Sequence, residues 1–550
     1  MLNESEKNTG GIKIWIPLLL SLMLVAGMLI GMRMQRIPLV SLSSSDGATN
    51  SSSIETGRVE ELVRFIESRY VDEVNSEELV EEAINALLKQ LDPHSNYISA
   101  KQVREVNEQL DGNFEGVGIE FMILDDTIRV ISPISGGPSE AVGIMAGDKI
   151  VQIEDSIVAG VNVEVKDIVE FLRGEKGSEV EVGILRGEEK EVRKFTITRD
   201  KIPLNSVDVA YMIDDQTGYI KISRFSATTY KEFMEGVERM VEKENMKDVI
   251  IDVRQNPGGY LLEATNILSQ LFEQRGRLLV YTEGRSVRRS EYESTGRPFF
   301  ELGKVAVLID EGSASASEIL AGAIQDWDRG PVIGRRSFGK GLVQEQYGLR
   351  DGSALRLTVA RYYTPSGRCI QKPYNDRENY NQDVQERFSN GELVSQDSIA
   401  QKDTTRFYTS EGRVVYGGGG ITPDIFIPLD TLLLESHYIN HRQLIPEFVY
   451  RYLENKDDIY NGSPKDFSKN YTVDRQMVEA FRDYAASKGI ERNDAKWAKS
   501  ADDIVHLIKA RIGRHLYQEE GYYQVWNETD PAVLEALRNL RTERPQVVEK

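Results

Sequence analysis

The chain holds a single cysteine, Cys369, in 550 residues. No intrachain disulfide can form, and no cysteine-rich metal site can be built. Histidine is nearly as scarce. Of the five, His437, His441, His506 and His515 lie beyond residue 430, and none of the five sits in a motif. A Ser-His-Asp triad therefore has no support. His94 stands in Asp92-Pro93-His94-Ser95 and reads as a turn-capping residue rather than a base or a ligand. Positive charge is in deficit: 67 Lys and Arg against 88 Asp and Glu give a net −21. That excludes nucleic acid as the principal partner. Phosphate loops are missing too. The spacing from Arg335 to Lys340 does not match Gly-x4-Gly-Lys-Ser/Thr, and Gly116-x-Gly118 lacks the third glycine and the helix of a dinucleotide site. No internal repeat occurs. The chain is expected to need no metal and no cofactor.

What is present begins with an apolar run over residues 14–32, about the length that crosses a bilayer once. No clear small-x-small cleavage site follows before Arg33, so residues 1–37 read as a retained membrane anchor, with a cleaved signal peptide as the alternative. Flanking charge fixes no orientation, because Glu4 and Glu6 offset Lys7 and Lys13 while Arg33 and Arg36 follow the run. Residues 38–53 are rich in serine and read as a linker. Residues 54–112 carry helical spacing, as in Val59, Leu62, Val63 and Ile66. At roughly 100–200 residues per domain, the chain holds about three or four domains.

Residues 113–200 change to strand periodicity. Gly116-Val117-Gly118-Ile119-Glu120-Phe121 leads into a strand and Thr127-Ile128-Arg129-Val130-Ile131 forms the next. Gly147-Asp148-Lys149-Ile150-Val151 follows, then a helix over residues 163–173. This order resembles a PDZ domain. The resemblance implies that Gly116, Val117, Gly118 and Ile119 bind the C-terminal carboxylate of a peptide, which then adds as a strand to the sheet edge. Successive amides in a glycine-containing turn form an anion nest, which suits that role.

Residues 201–373 read as an α/β core. Asp248-Val249-Ile250-Ile251-Asp252-Val253 is a near-continuous apolar strand, as when both faces are covered. It ends in Arg254-Gln255-Asn256-Pro257-Gly258-Gly259, and a helix follows over 261–272. Residues 305–309 form a second apolar strand, after which Glu311-Gly312-Ser313-Ala314-Ser315 makes a turn into a helix that starts near Ala316. A serine at a strand-to-helix turn is where a nucleophile is held exposed beside helix N-terminal amides. Its base must come from elsewhere. Lys340, between Gly339 and Gly341, is the candidate in the core, since a lysine in an apolar pocket loses its preference for charge. A solvated surface charge is the plainer reading of that lysine on spacing alone. Strands are expected over 341–347 and 354–363.

Asp252-Val253-Arg254-x-Asn256-x-Gly258-Gly259, Gly312-Ser313-Ala314-Ser315-Ala316-Ser317-Glu318-Ile319 and Gly339-Lys340-Gly341 with Gln344 together resemble the C-terminal processing (tail-specific) peptidases. So does the order of elements from about residue 58 to 373. The resemblance implies a serine endopeptidase with a Ser/Lys dyad on a crotonase/ClpP-like layered fold, preceded by its PDZ domain. Ser315 matches the nucleophile, Lys340 the general base and Gln344 the third, orienting position. The amide of Ala316, with that of Gly258 or Gly259, matches the oxyanion hole. Ser313 and Ser317 fall outside the catalytic position and read as turn and cap residues. The family works outside the cytoplasm, which implies a periplasmic or extracytoplasmic body. Its expected partners are proteins or peptides with a free C-terminus and, through one N-terminal helix, the membrane; homo-oligomerisation is left open. Residues 374–412 read as an exposed polar insertion, 413–430 as the end of the core, and 431–550 as a helical extension without a chemical motif. Two other classes compete: a catalytically silent PDZ scaffold, and a crotonase-type acyl-CoA enzyme.

Overall fold

In the computed structural model, residues 52–400, 403–454, 456 and 459–542 are described. The anchor expected at residues 1–37 lies outside them, as does most of the expected linker. Among the described residues, no helix is long and apolar enough to cross a membrane. The described residues divide into two units, one up to Val80 and one from Glu81 onward. In the first, the helix Ser52–Arg69 begins inside the stretch expected as linker and leaves Val59, Leu62 and Phe65 exposed.

In the second unit, residues 119–198 build a sheet in the order Ile119–Leu124, Thr127–Pro133, Lys149–Ile153, Glu179–Leu185, Arg193–Thr198, with the helix Val165–Leu172 against it. Alternating side chains such as Ile128, Val130, Val180 and Val182 fill its core with Ile168 and Leu172. Ile119–Leu124 is an edge strand with one open side. The strands Asn113–Gly116 and Asp200–Pro203 pair at the base, so this domain closes at Pro203 rather than residue 200.

The core has two sheets. One runs Val207–Met212, Thr217–Ile222, Asp248–Asp252, Val305–Ile309, Val332–Gly334, Ile425–Phe426, parallel after its first pair. All five side chains of Val305–Ile309 are fully buried, and the four larger ones are each worth about 1.5–3 kcal/mol. The other sheet is antiparallel and contains Leu342–Gly348 paired with Ala354–Tyr363. The helices Thr229–Glu244, Leu261–Ser269 and Ala316–Asp326 share the core with the first sheet.

The stretch expected as an exposed polar insertion is not exposed throughout. Its helix Arg377–Ser389 turns Tyr380, Asp383 and Arg387 inward, and Glu392 follows them. Arg387 meets Asp383 at 2.8 Å, Lys372 meets Asp383 at 3.1 Å, and Arg336 meets Glu392 at 2.6 Å. Charges that composition assigns to water are paired with core charges instead, which is the condition for burying them.

The C-terminal extension is helical, as expected, with a core of its own around Phe448, Phe467, Phe481, Ile504 and Ile508. Its last helix, Pro531–Arg541, covers the outer face of the parallel sheet, where Val533 and Ala536 meet Tyr219, Ile250, Ala306 and Leu308. It also reaches the PDZ-like sheet: Arg451 meets Asp125 at 2.7 Å and Arg129 meets Glu454 at 2.6 Å.

Candidate active site

The strand Asp248–Asp252 delivers its chain into a turn built on Asn256, which is fully buried. The Asn256 side chain donates to the Ile222 carbonyl at 3.0 Å and accepts from the Gly258 amide at 2.8 Å. Its own carbonyl accepts from the Ala314 amide and the Ser317 hydroxyl, both at 2.9 Å. One asparagine thus ties the glycine turn to the serine turn. Gly258 has φ +99°, and a β-carbon there would meet Ser315 Cβ at 2.7 Å and Ala316 N at 3.0 Å. Only glycine lets the two backbones come this close.

Ser315 follows the strand Val305–Ile309 and precedes the helix Ala316–Asp326. Its backbone is at φ +54°, ψ −115°, a strained region for a side-chain-bearing residue and typical of a residue held for function. Ala316 opens the helix, so its amide has no partner one turn back. Gly258 and Gly259 are not equivalent. The Gly258 amide is engaged by Asn256. Around Gly259, Phe225 N donates to Gly258 O and Tyr260 N donates to Phe225 O, so neither bond uses the Gly259 amide. Ser313 and Ser317 are buried and bond to the carbonyls of Val253 and Asn256.

Lys340 lies across a cleft of about 480 Å³ that Ser315, Gly259, Gln344, Arg356 and Tyr362 also line. It is half-buried, and among the described residues no carboxylate sits within ion-pair distance of it. Burial, and then the charge of Arg356, push its amine below the ordinary lysine range, with Glu318 and Asp92 opposing. Gln344 reaches the same cleft, and its buried side-chain nitrogen has no hydrogen-bond partner.

Two residues that sequence reasoning missed fix the serine against the lysine. Glu318 is fully buried and accepts four hydrogen bonds: from Ser315 N at 2.8 Å, Ser337 Oγ at 2.6 Å, Gly339 N at 2.7 Å and Lys340 N at 2.9 Å. Burial raises its carboxyl, and these donors pull it back. Ser315-x-x-Glu318 fits the capping-box spacing, so a signal was there. Tyr362, buried on the facing strand, donates to the carbonyls of Lys340 at 2.8 Å and Ser315 at 3.2 Å.

His94 caps nothing itself. Its turn is capped by Asp92, which accepts from the amides of His94 and Ser95 at 2.8 Å. Its ring bonds to Tyr380 Oη at 2.6 Å, and with Lys340 it lines a second cleft. Burial, then the charge of Lys340, push it down to about 4. The other four histidines are in the extension, none of them lining the cleft of Ser315. Cys369 is half-buried and free.

In the PDZ-like domain, the Val117 carbonyl accepts from Ser139 and the Gly118 carbonyl from Ile134 N. In a trans peptide the following amide points the opposite way. The amides of Gly118 and Ile119 therefore point away from those two contacts, at the start of the open edge strand.

Comparison with known proteins agrees with this layout. Peptidase family S41 matches residues 216–377, the PDZ domain family matches 116–198, and the activating protease CtpB N-terminal domain matches 23–102. A family of unknown function matches residues 437–518. The carboxy-terminal-processing protease of Bartonella bacilliformis is 34% identical over 58% of this chain and 74% of its own length. The carboxy-terminal processing protease CtpB of Bacillus subtilis is 36% identical over 57% of this chain and 65% of its own. A solved photosystem II D1 C-terminal processing protease is 26% identical over 68% of this chain and 87% of its own, with a TM-score of 0.33, too low to bear on the fold. The fold and site define a serine-type peptidase with a PDZ domain. The chain belongs to the carboxy-terminal processing proteases of peptidase family S41.

Proposed function

We propose that the chain is a membrane-anchored endopeptidase that grips the C-terminal end of a protein substrate with its PDZ domain and cleaves near it by a Ser315/Lys340 dyad. The observation that carries this reading is the cleft itself: a strained serine and a half-buried lysine without a carboxylate partner line one space, and a helix begins directly after the serine. The substrate adds as a strand beside Ile119–Leu124, its carboxylate on the amides of Gly118 and Ile119. Neutral Lys340 takes the proton of Ser315 Oγ as the oxygen bonds to the scissile carbonyl carbon. The amides of Ala316 and Gly259 receive the oxyanion, where losing one donor typically costs about 10²–10³ in rate. The lysine passes its proton to the leaving amine, then takes one from the water that releases the acyl group. Gln344 orients Lys340 from the cleft wall.

The anchor rests on the apolar run at residues 14–32; the extracytoplasmic side for the body rests on the family resemblance. The dyad supports neither a silent scaffold nor an acyl-CoA enzyme, since neither needs a serine nucleophile. The test is cleavage of an unfolded protein with an apolar C-terminus. Ser315→Ala and Lys340→Ala should each abolish it; full activity in either ends the dyad reading. Amidating the substrate's C-terminus should slow cleavage, and no change would count against the carboxylate nest.

A further inference from the structure

Arg336, Arg368 and Arg387 are buried in the core, and each meets a carboxylate: Glu392, Asp326 and Asp383. Arg356 departs from this rule. It is half-buried on the strand Ala354–Tyr363, and among the described residues no carboxylate pairs with it. Its guanidinium donates instead to the neutral side-chain oxygen of Gln346 at 3.1 Å. The ladder explains where it sits. Gln346 opposes Arg356 and Gln344 opposes Thr358, so Gln344, Gln346 and Arg356 share one face of the sheet. That face lines the cleft of Ser315 and Lys340. Two cations without carboxylates therefore share one confined space. A second half-buried cation beside a lysine is unfavourable to the lysine's own charge.

We propose that Arg356 is a positioning residue for the chemistry, acting through Lys340: its fixed positive charge keeps the lysine amine neutral and so free to take the Ser315 proton. This rests on Lys340 being the general base. A nearby cation disfavours a second one, and lysine nucleophiles and bases elsewhere are activated in this way. The groups facing Lys340 do not all pull alike. Glu318, on the helix behind Ser315, and Asp92, on the turn before Asn96–Ile98, favour the ammonium. His94 beside it is neutral at ordinary pH, and Tyr362 donates only to backbone. Tyr260 faces Arg356 from the glycine turn. Without Arg356, the two carboxylates would act with only burial against them.

The experiment is the pH dependence of Ser315 labelling by a fluorophosphonate, with kcat/KM on one peptide in parallel, in the full chain. Wild type should show an acid limb set by Lys340. Arg356→Gln and Arg356→Met, two neutral variants, should move that limb to higher pH by about one unit. They would be about tenfold slower on the acid side and converge on wild type above the limb. Arg356→Lys keeps the charge and should keep the limb. A limb unmoved in the neutral variants, or a loss by the same factor at every pH, overturns the inference and leaves the dyad standing. Wild-type labelling rates in Lys340→Ala would overturn both.

Discussion

The turn that carries Ser315 is held by regular structure on both sides, a fully buried strand before it and a buried helix after it. The turn that carries Lys340 has no such frame. It runs from Arg335 to Gly341 between two strands of different sheets, and side chains from elsewhere hold its backbone. Glu318 takes its amides at Gly339 and Lys340, while Arg387 donates to the carbonyls of Arg336, Ser337 and Phe338. The proposed nucleophile, at a strand-to-helix turn, is placed largely by secondary structure; the proposed base opposite it is placed by individual buried charges. The base turn should therefore be the more fragile of the two to single substitutions.

The sharpest break in that contrast is Glu318→Ala, which removes an acceptor from four donors at once. Activity should fall by about 10² or more, since a misplacement near 1 Å costs that much. Stability should drop by a few kcal/mol, about 1–3 for each donor left unsatisfied. Steady-state cleavage and urea unfolding measure the two; retention of most activity would mean that the turns do not need the carboxylate. Arg387→Met comes next. It removes a cation from both Asp383 and Glu392 and frees three carbonyls, so about 3–5 kcal/mol should be lost. A shift in unfolding midpoint worth under 1 kcal/mol would show the insertion to be dispensable to the base turn. On the serine side, Ser317→Ala removes one bond to the Asn256 carbonyl and should cost only about 1 kcal/mol, with cleavage nearly unchanged. A larger loss of activity there than in Glu318→Ala would reverse the comparison.

A further prediction concerns pH. His94 is held near 4 against an ordinary 6.5, so the unfolded chain takes up its proton first as pH falls. Its neutral burial carries no penalty above pH 6.5, and stability is lost progressively between 6.5 and about 4. In His94→Asn, unfolding midpoints measured across that window should fall less steeply than in wild type; parallel slopes would remove His94 from the acid sensitivity of the fold.

The serine side was legible in the sequence because its signals are local. The apolar runs at 248–253 and 305–309, and the small residues between 312 and 317, announce strands and a turn by periodicity alone. Lys340 has no periodic signature, and family resemblance singled it out. Arg356 and Tyr362 reach the site through strand register, which no single stretch encodes. Composition misled at residues 374–412, because polar content measures hydrophilicity and not whether a charge finds a buried partner. Preferring Gly259 to Gly258 as the proposed oxyanion donor needed the bond from the Gly258 amide to the Asn256 side chain, local in sequence but visible only in the folded turn.

The helix Pro531–Arg541 has one further consequence. Asp530, at its start, holds Arg254 at 2.8 Å, and Arg254 in turn clasps Asp252 at the end of a central strand. Although burial opposes it, Arg254 and Lys221 keep the Asp252 carboxyl far below the usual range. Proteolytic trimming ahead of this helix would uncover a flat greasy face of Tyr219, Ile250, Ala306, Leu308 and Ile333 and leave Arg254 half undone. Exposed apolar patches of that kind drive self-association. The clipped enzyme is thus expected to precipitate before it misfires, so this helix doubles as a seal on its shelf life.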